Sequence, residues 1–153
     1  MYQMKKFKLL FVTFFTIFSF SACNSTQSEI KQNSHICPQC NMELPRSNVH
    51  TATAEVDDDI KYFDDVGCMV LWAQKHNVDL LKSKVRVFSN DTLKYIDTKS
   101  AFYSINETTP MHYGFSAYEK PKEGVISFDE MQIRMLRGEH MANPKIRKHI
   151  LGY

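Results

Sequence analysis

Cys37, Cys40 and Cys68, with Met42, Met69, Met111 and His112, are the residues of this chain whose types suit the capture of a soft metal ion. Cys37-Pro-Gln-Cys40 alone is of moderate specificity, because the same spacing serves redox pairs, half of a zinc site or a local disulfide. Met42 stands two positions beyond Cys40. In an extended segment side chains at i and i+2 share a face, so a thiolate and a thioether would point the same way. Cys68-Met69 is expected near the start of a helix, where the helix dipole favours a thiolate and neighbouring Asp65 opposes it. Cys68 also reads as a small buried hydrophobe and Met69 as a core residue.

Thr109-Pro-Met111-His112-Tyr-Gly114 is a second place where soft donors meet, in a stretch without helical periodicity. Met131 and Met135 are spaced as helix core residues, and His140-Met141 is a weaker echo of Met111-His112. His35 and His50 are near the cysteines only in sequence. His76 follows Cys68 by eight residues, about 12 Å along a helix, too far to share an ion with it. No carboxylate constellation suited to calcium or magnesium lies near these donors. Thiols alone suit zinc or Cu(I); thioethers beside them favour Cu(I).

The elements that must position these donors read as α+β. Residues 49–56 and 60–63 form a predicted β-hairpin about the acidic run at 57–59. Asp64 is the expected N-cap of a helix with Val66, Met69, Val70 and Ala73 on one face, ending near His76 and Asn77. Strands are expected over 84–88, 92–96, 101–105, 113–118 and 124–128, followed by a second helix opening at Asp129. Phe63-Asp-Asp-Val66 and Phe128-Asp-Glu-Met131 would then occupy matching places, which suggests two related strand-strand-helix units with short antiparallel sheets. The basic run at 145–149 reads as a loose end, with a membrane-surface or partner contact as the alternative.

The 153 residues allow one main domain. The first 22 hold three lysines and no acid, then an apolar stretch over 9–20 that is too short for the roughly 20 residues of a spanning helix. This is the pattern of an export signal, and Phe20-Ser-Ala-Cys23 resembles a bacterial lipobox, which implies lipidation of Cys23. Residues 23–34 read as a polar tether and 35–153 as the folded domain, held at a membrane and facing the periplasm or another extracytoplasmic space. With Cys23 used for lipid, three thiols remain, an odd number in an oxidising compartment. The chain beyond residue 22 carries 16 basic and 17 acidic side chains, without the basic excess of a nucleic-acid binder.

Taken in order, these segments resemble the NosL family of copper-binding lipoproteins, accessory factors for maturation of nitrous oxide reductase. The likeness rests on the lipobox, Cys37-Pro-Gln-Cys40-Asn-Met42, Phe63-Asp-Asp-Val-Gly-Cys-Met69, Tyr95-Ile-Asp97 with Ala101-Phe-Tyr103, and Pro110-Met111 before Gly114. The resemblance implies an organomercurial-lyase-like fold, Cu(I) as cargo, and the reductase with its membrane assembly complex as partners. It implies Cys40, Met42 and Met111 as the leading ligands, His112 next, and Cys37, Cys68 and Met69 behind them. Asn41 and His112 stand where that family commonly has glycine, and His112 adds a possible donor. The expected function is a membrane-anchored Cu(I) metallochaperone and not an enzyme. Its rivals are a structural lipoprotein with a zinc or disulfide site, and a thiol-disulfide oxidoreductase using Cys37 and Cys40.

Overall fold

The computed structural model describes residues 36–153. The export segment, Cys23, the tether and His35 lie outside the described residues. Strand β1, Ala52–Val56, pairs antiparallel with β2, Asp59–Phe63, through a two-residue turn. That turn holds Asp57 and Asp58 at φ 51° and 61°, the left-handed pair that a tight hairpin requires and Asp tolerates better than most residues. β1 also pairs with β3, Lys84–Phe88, and β3 with β4, Tyr95–Asp97, giving a four-stranded antiparallel sheet of order β2-β1-β3-β4. In β3, Val85 and Val87 are buried while Lys84 and Arg86 are exposed, the period of a sheet with one covered face.

Helix α1, Val66–His76, leaves β2 after two aspartates and packs back against β1 and β2. Its N-cap is Asp65, whose side chain accepts from the Gly67 N–H, so the expected cap at Asp64 is displaced by one residue. The helix ends as expected at Asn77, left-handed at φ 55°, with Lys75 and His76 in its last turn. Val66, Met69, Val70 and Ala73 are all buried.

A second, two-stranded antiparallel sheet joins β5, Phe102–Ser104, to β6, Ser116–Tyr118. The expected strand over 124–128 is reduced to one bridge, Tyr103 to Ile126, because Ser127 turns the chain into α2, Phe128–Arg137. Ser127 is the cap and accepts from Glu130 N–H, while Asp129 and Glu130 sit in the first turn, where the dipole favours acids. Phe128 is therefore inside a helix whereas Phe63 ends a strand, and the two four-residue matches are out of phase. The strand-strand-helix order still occurs twice, as β1-β2-α1 and β5-β6-α2. α2 packs on both α1 and β5. The basic tail is not loose: Asn143 caps and Pro144 opens α3, Pro144–Leu151, although no residue of it is buried. Among the described residues no helix is long and apolar enough to cross a membrane.

Candidate metal centre

The first two thiols are set by a tight turn. Ile36 and Glu43 form an antiparallel bridge, Cys37 N–H donates to Met42 O at 2.8 Å, and Asn41 N–H donates to Cys37 O at 2.9 Å. Asn41 closes the turn at φ 60°. The segment is therefore not extended between Cys40 and Met42, and the shared-face argument does not hold there. Cys37 is buried, Cys40 is partly exposed, and Met42 is 45% exposed.

The third thiol comes from α1. Asp65 as cap makes Val66 the first helical residue and puts Cys68 third, within the first turn. Asp64, one residue before the cap, is four positions from Cys68. The sulfurs of Cys37, Cys40 and Cys68 and a carboxylate oxygen of Asp64 all lie within 4.8 Å of one another. Ligands at about 2.3 Å from a tetrahedral ion stand about 3.8 Å apart, so closure onto an ion needs a contraction of about 1 Å at most. This cluster could hold a metal ion.

The carboxylate tests that fit. Asp64 has 0% exposure; its Oδ1 accepts from Cys40 Sγ at 3.2 Å, and its Oδ2 has no hydrogen-bond partner among the described residues. A buried oxygen without a partner is costly, and a cation bound among the thiols would satisfy it. The three cysteines are free thiols. Hydrogen bonding from Cys68 draws the Cys37 thiol down to about 7 against the effect of burial, whereas burial pushes Cys40 up to about 12. Cys68 is pushed far up by its hydrogen bond to Cys37, by burial and by the nearby negative groups, so the helix dipole does not prevail there.

Asp65 links the cluster to the Met111 loop. Buried, it accepts from Gly67 N–H at 2.8 Å through Oδ1 and from Met111 N–H at 3.3 Å through Oδ2. His112 N–H returns to Thr109 O at 2.9 Å, and His112 is left-handed at φ 56°. Tyr113 then lies on the start of α1: a Cβ built on Gly67 would meet its Cδ2 at 2.4 Å. Met141 N–H donates to Tyr113 O at 3.0 Å, and the His140 ring stands edge-on to the tyrosine with centroids 4.9 Å apart.

Cys37, Cys40 and Cys68 are thus brought together. Met111 is half-buried, with its backbone beside the cluster, His112 is exposed, and Met69 is fully buried in the core. Asp64 was missed as a ligand because one aspartate before a helix reads as its cap. The available signal was the doublet: Asp64 and Asp65 cannot both cap one helix, so one acidic side chain is left over beside the start of the helix that carries Cys68. No family model matches the chain. No curated protein and no solved structure matches it either, so the site is argued on its own geometry.

Proposed function

We propose that the protein is a carrier of Cu(I), bound by Cys37, Cys40 and Cys68 with Asp64 beside them, and released by ligand exchange to a partner. The observation that carries this reading is the convergence of three free thiols on a buried carboxylate with a partnerless oxygen, closed on all ligands except Cys40. Soft thiolates select Cu(I), and one accessible ligand keeps the ion exchangeable. Met111, half-buried and tied to Asp65 through its backbone N–H, is a thioether whose loop meets the start of α1, and Met42 and His112 are exposed donors nearby in sequence. As the resemblance implies, the carrier would be lipid-anchored at Cys23 on the extracytoplasmic side of a membrane and would serve maturation of nitrous oxide reductase. In support, Asn41 and His112, which replace the glycines of that family, both have positive φ, at 60° and 56°. Anaerobic Cu(I) titration against a competing chelator tests the reading: one ion per chain is expected, with loss of binding in Cys68→Ser.

A second reading is favoured by Asp64 itself. Zinc takes carboxylate with thiolates in four-coordinate sites, and a Cys3Asp set matches that habit. Zinc bound in preference to Cu(I) would make the centre structural. Thiol-disulfide exchange has less support. Cys37 and Cys68 are buried, and Cys40, the one thiol that solvent reaches among the described residues, is pushed up to about 12 by burial and is a poor nucleophile near neutral pH.

A further inference from the structure

The four candidate ligands are not equivalent. Cys37, Asp64 and Cys68 each have 0% exposure, whereas Cys40 is partly exposed on the turn that also carries exposed Met42. Cys68 is fixed by a helix and Asp64 by the end of β2; Cys37 is fixed by its N–H bond to Met42 O. Cys40 sits at the other end of the same turn. Its side chain also has somewhere to go when it leaves an ion, since Asp64 Oδ1 accepts from its Sγ at 3.2 Å.

Resting on the carrier reading, we propose that Cys40 is the exchange ligand. An acceptor bearing a thiol reaches the bound ion from the Cys40 side, Cys40 is displaced first, and Asp64 receives the freed thiol. The acceptor sulfur forms one metal–sulfur bond as the bond to Cys40 breaks. The acceptor's thiol proton ends on Cys40 Sγ, which then donates to Asp64 Oδ1, and the ion keeps its oxidation state. Cys37 and Cys68 remain bound through this first step and release only after the acceptor is attached. The order is dictated by access: an incoming sulfur of about 1.8 Å radius cannot approach along the direction of a ligand enclosed by packed core.

The decisive test uses the wild-type full chain in mild detergent, loaded anaerobically with one equivalent of Cu(I). Glutathione is added in steps as the acceptor thiol, and freed cysteines are trapped by brief alkylation and located by peptide mass spectrometry. With each cysteine scaled to its own labelling rate in the metal-free chain at the same pH, which removes the differences in thiol acidity and access, Cys40 is expected to recover labelling at a glutathione concentration at least tenfold lower than Cys37 or Cys68. Equal labelling of the three, or earlier labelling of Cys37 or Cys68, overturns the assignment. Cys40→Ser supplies a second readout: it should still hold one Cu(I) and deliver it to glutathione at least tenfold faster, the position being already open. Slower delivery by Cys40→Ser overturns the proposal. If the wild type takes zinc and not Cu(I), the carrier reading falls, while the labelling order read on the zinc form still decides the role of Cys40. Failure to load either ion overturns both.

Discussion

Replacing Gly67 by alanine separates two effects of opposite sign at the base of the candidate centre. Gly67 is the second residue of α1 and precedes Cys68. Within a helix, glycine to alanine normally stabilises by about 1 kcal/mol. Here the new methyl would meet Tyr113 Cδ2 at 2.4 Å, Tyr113 Cε2 at 3.0 Å and Met135 Sδ at 3.0 Å. Ordinary contact needs at least 3.4 Å, so the ring must retreat by about 1 Å. The Tyr113 ring also packs edge-on to that of His140, and the tyrosine's backbone oxygen accepts from Met141 N–H at 3.0 Å. Overpacking of this kind costs about 1–3 kcal/mol. The larger half of that range applies to a ring packed against two neighbours, leaving a net destabilisation of about 1–2 kcal/mol after the helix gain. Urea unfolding of the metal-free chain in chelator measures it, with Gln74→Ala, at an exposed position of the same helix, as the control expected to stay within about 0.5 kcal/mol. A Gly67→Ala chain as stable as wild type, or more so, would refute the close packing of Tyr113 on the start of α1.

Asp64→Asn should act in opposite directions with and without metal. In chelator it should raise stability by about 1 kcal/mol by easing the burial of a partnerless carboxylate oxygen, and zinc affinity should fall about tenfold or more; an apoprotein destabilised by the change contradicts this. Asp65→Ala removes the α1 cap and the tie to Met111 N–H, and a loss of about 2 kcal/mol in urea unfolding is expected, together with faster amide exchange at Gly67 and Met111. For Asp91, burial opposes its charge, but the Ser89 hydroxyl and the Glu119 and Lys120 N–H groups prevail and hold it at about 2. Its folded pKa is below the ordinary carboxylate value, so its contribution is present above pH about 4 and is lost as pH falls toward 2. Asp91→Asn should accordingly flatten the stability profile between pH 4 and 2 and leave the slope near pH 7 unchanged.

The elements carrying the centre could be read from local patterns, because hairpin turns and helix ends are decided by a few neighbouring residues. The acidic turn between β1 and β2 and the left-handed end of α1 at Asn77 are of this kind. The errors arose where two local solutions compete. Asp64 and Asp65 are equally good caps in isolation, and only the geometry of the β2–α1 connection gives the cap to Asp65 and frees Asp64 to face the thiols. Val125 and Ile126 favour a strand, but Ser127, three residues after Gly124 in its turn, already caps a helix. Period-two reasoning at Cys40 and Met42 failed because Asn41 is left-handed. Cys68 reads in sequence as a buried hydrophobe, and it is fully buried; what the pattern along one helix does not contain is that the sulfur of Cys37, 31 residues earlier, lies within 4.8 Å of its own.

The central claim is that Cys37, Cys40 and Cys68 act together on one soft ion, and competitive titration of the full chain tests it most directly. Wild type, the three single Cys→Ser variants and Asp64→Asn are titrated anaerobically with Cu(I) against a chromogenic chelator, and in parallel with zinc. The account predicts one Cu(I) per wild-type chain, bound at least a hundredfold more weakly after Cys37→Ser or Cys68→Ser and less severely weakened after Cys40→Ser or Asp64→Asn. Cu(I) binding that is indifferent to all three serines, or no stoichiometric binding, would contradict it.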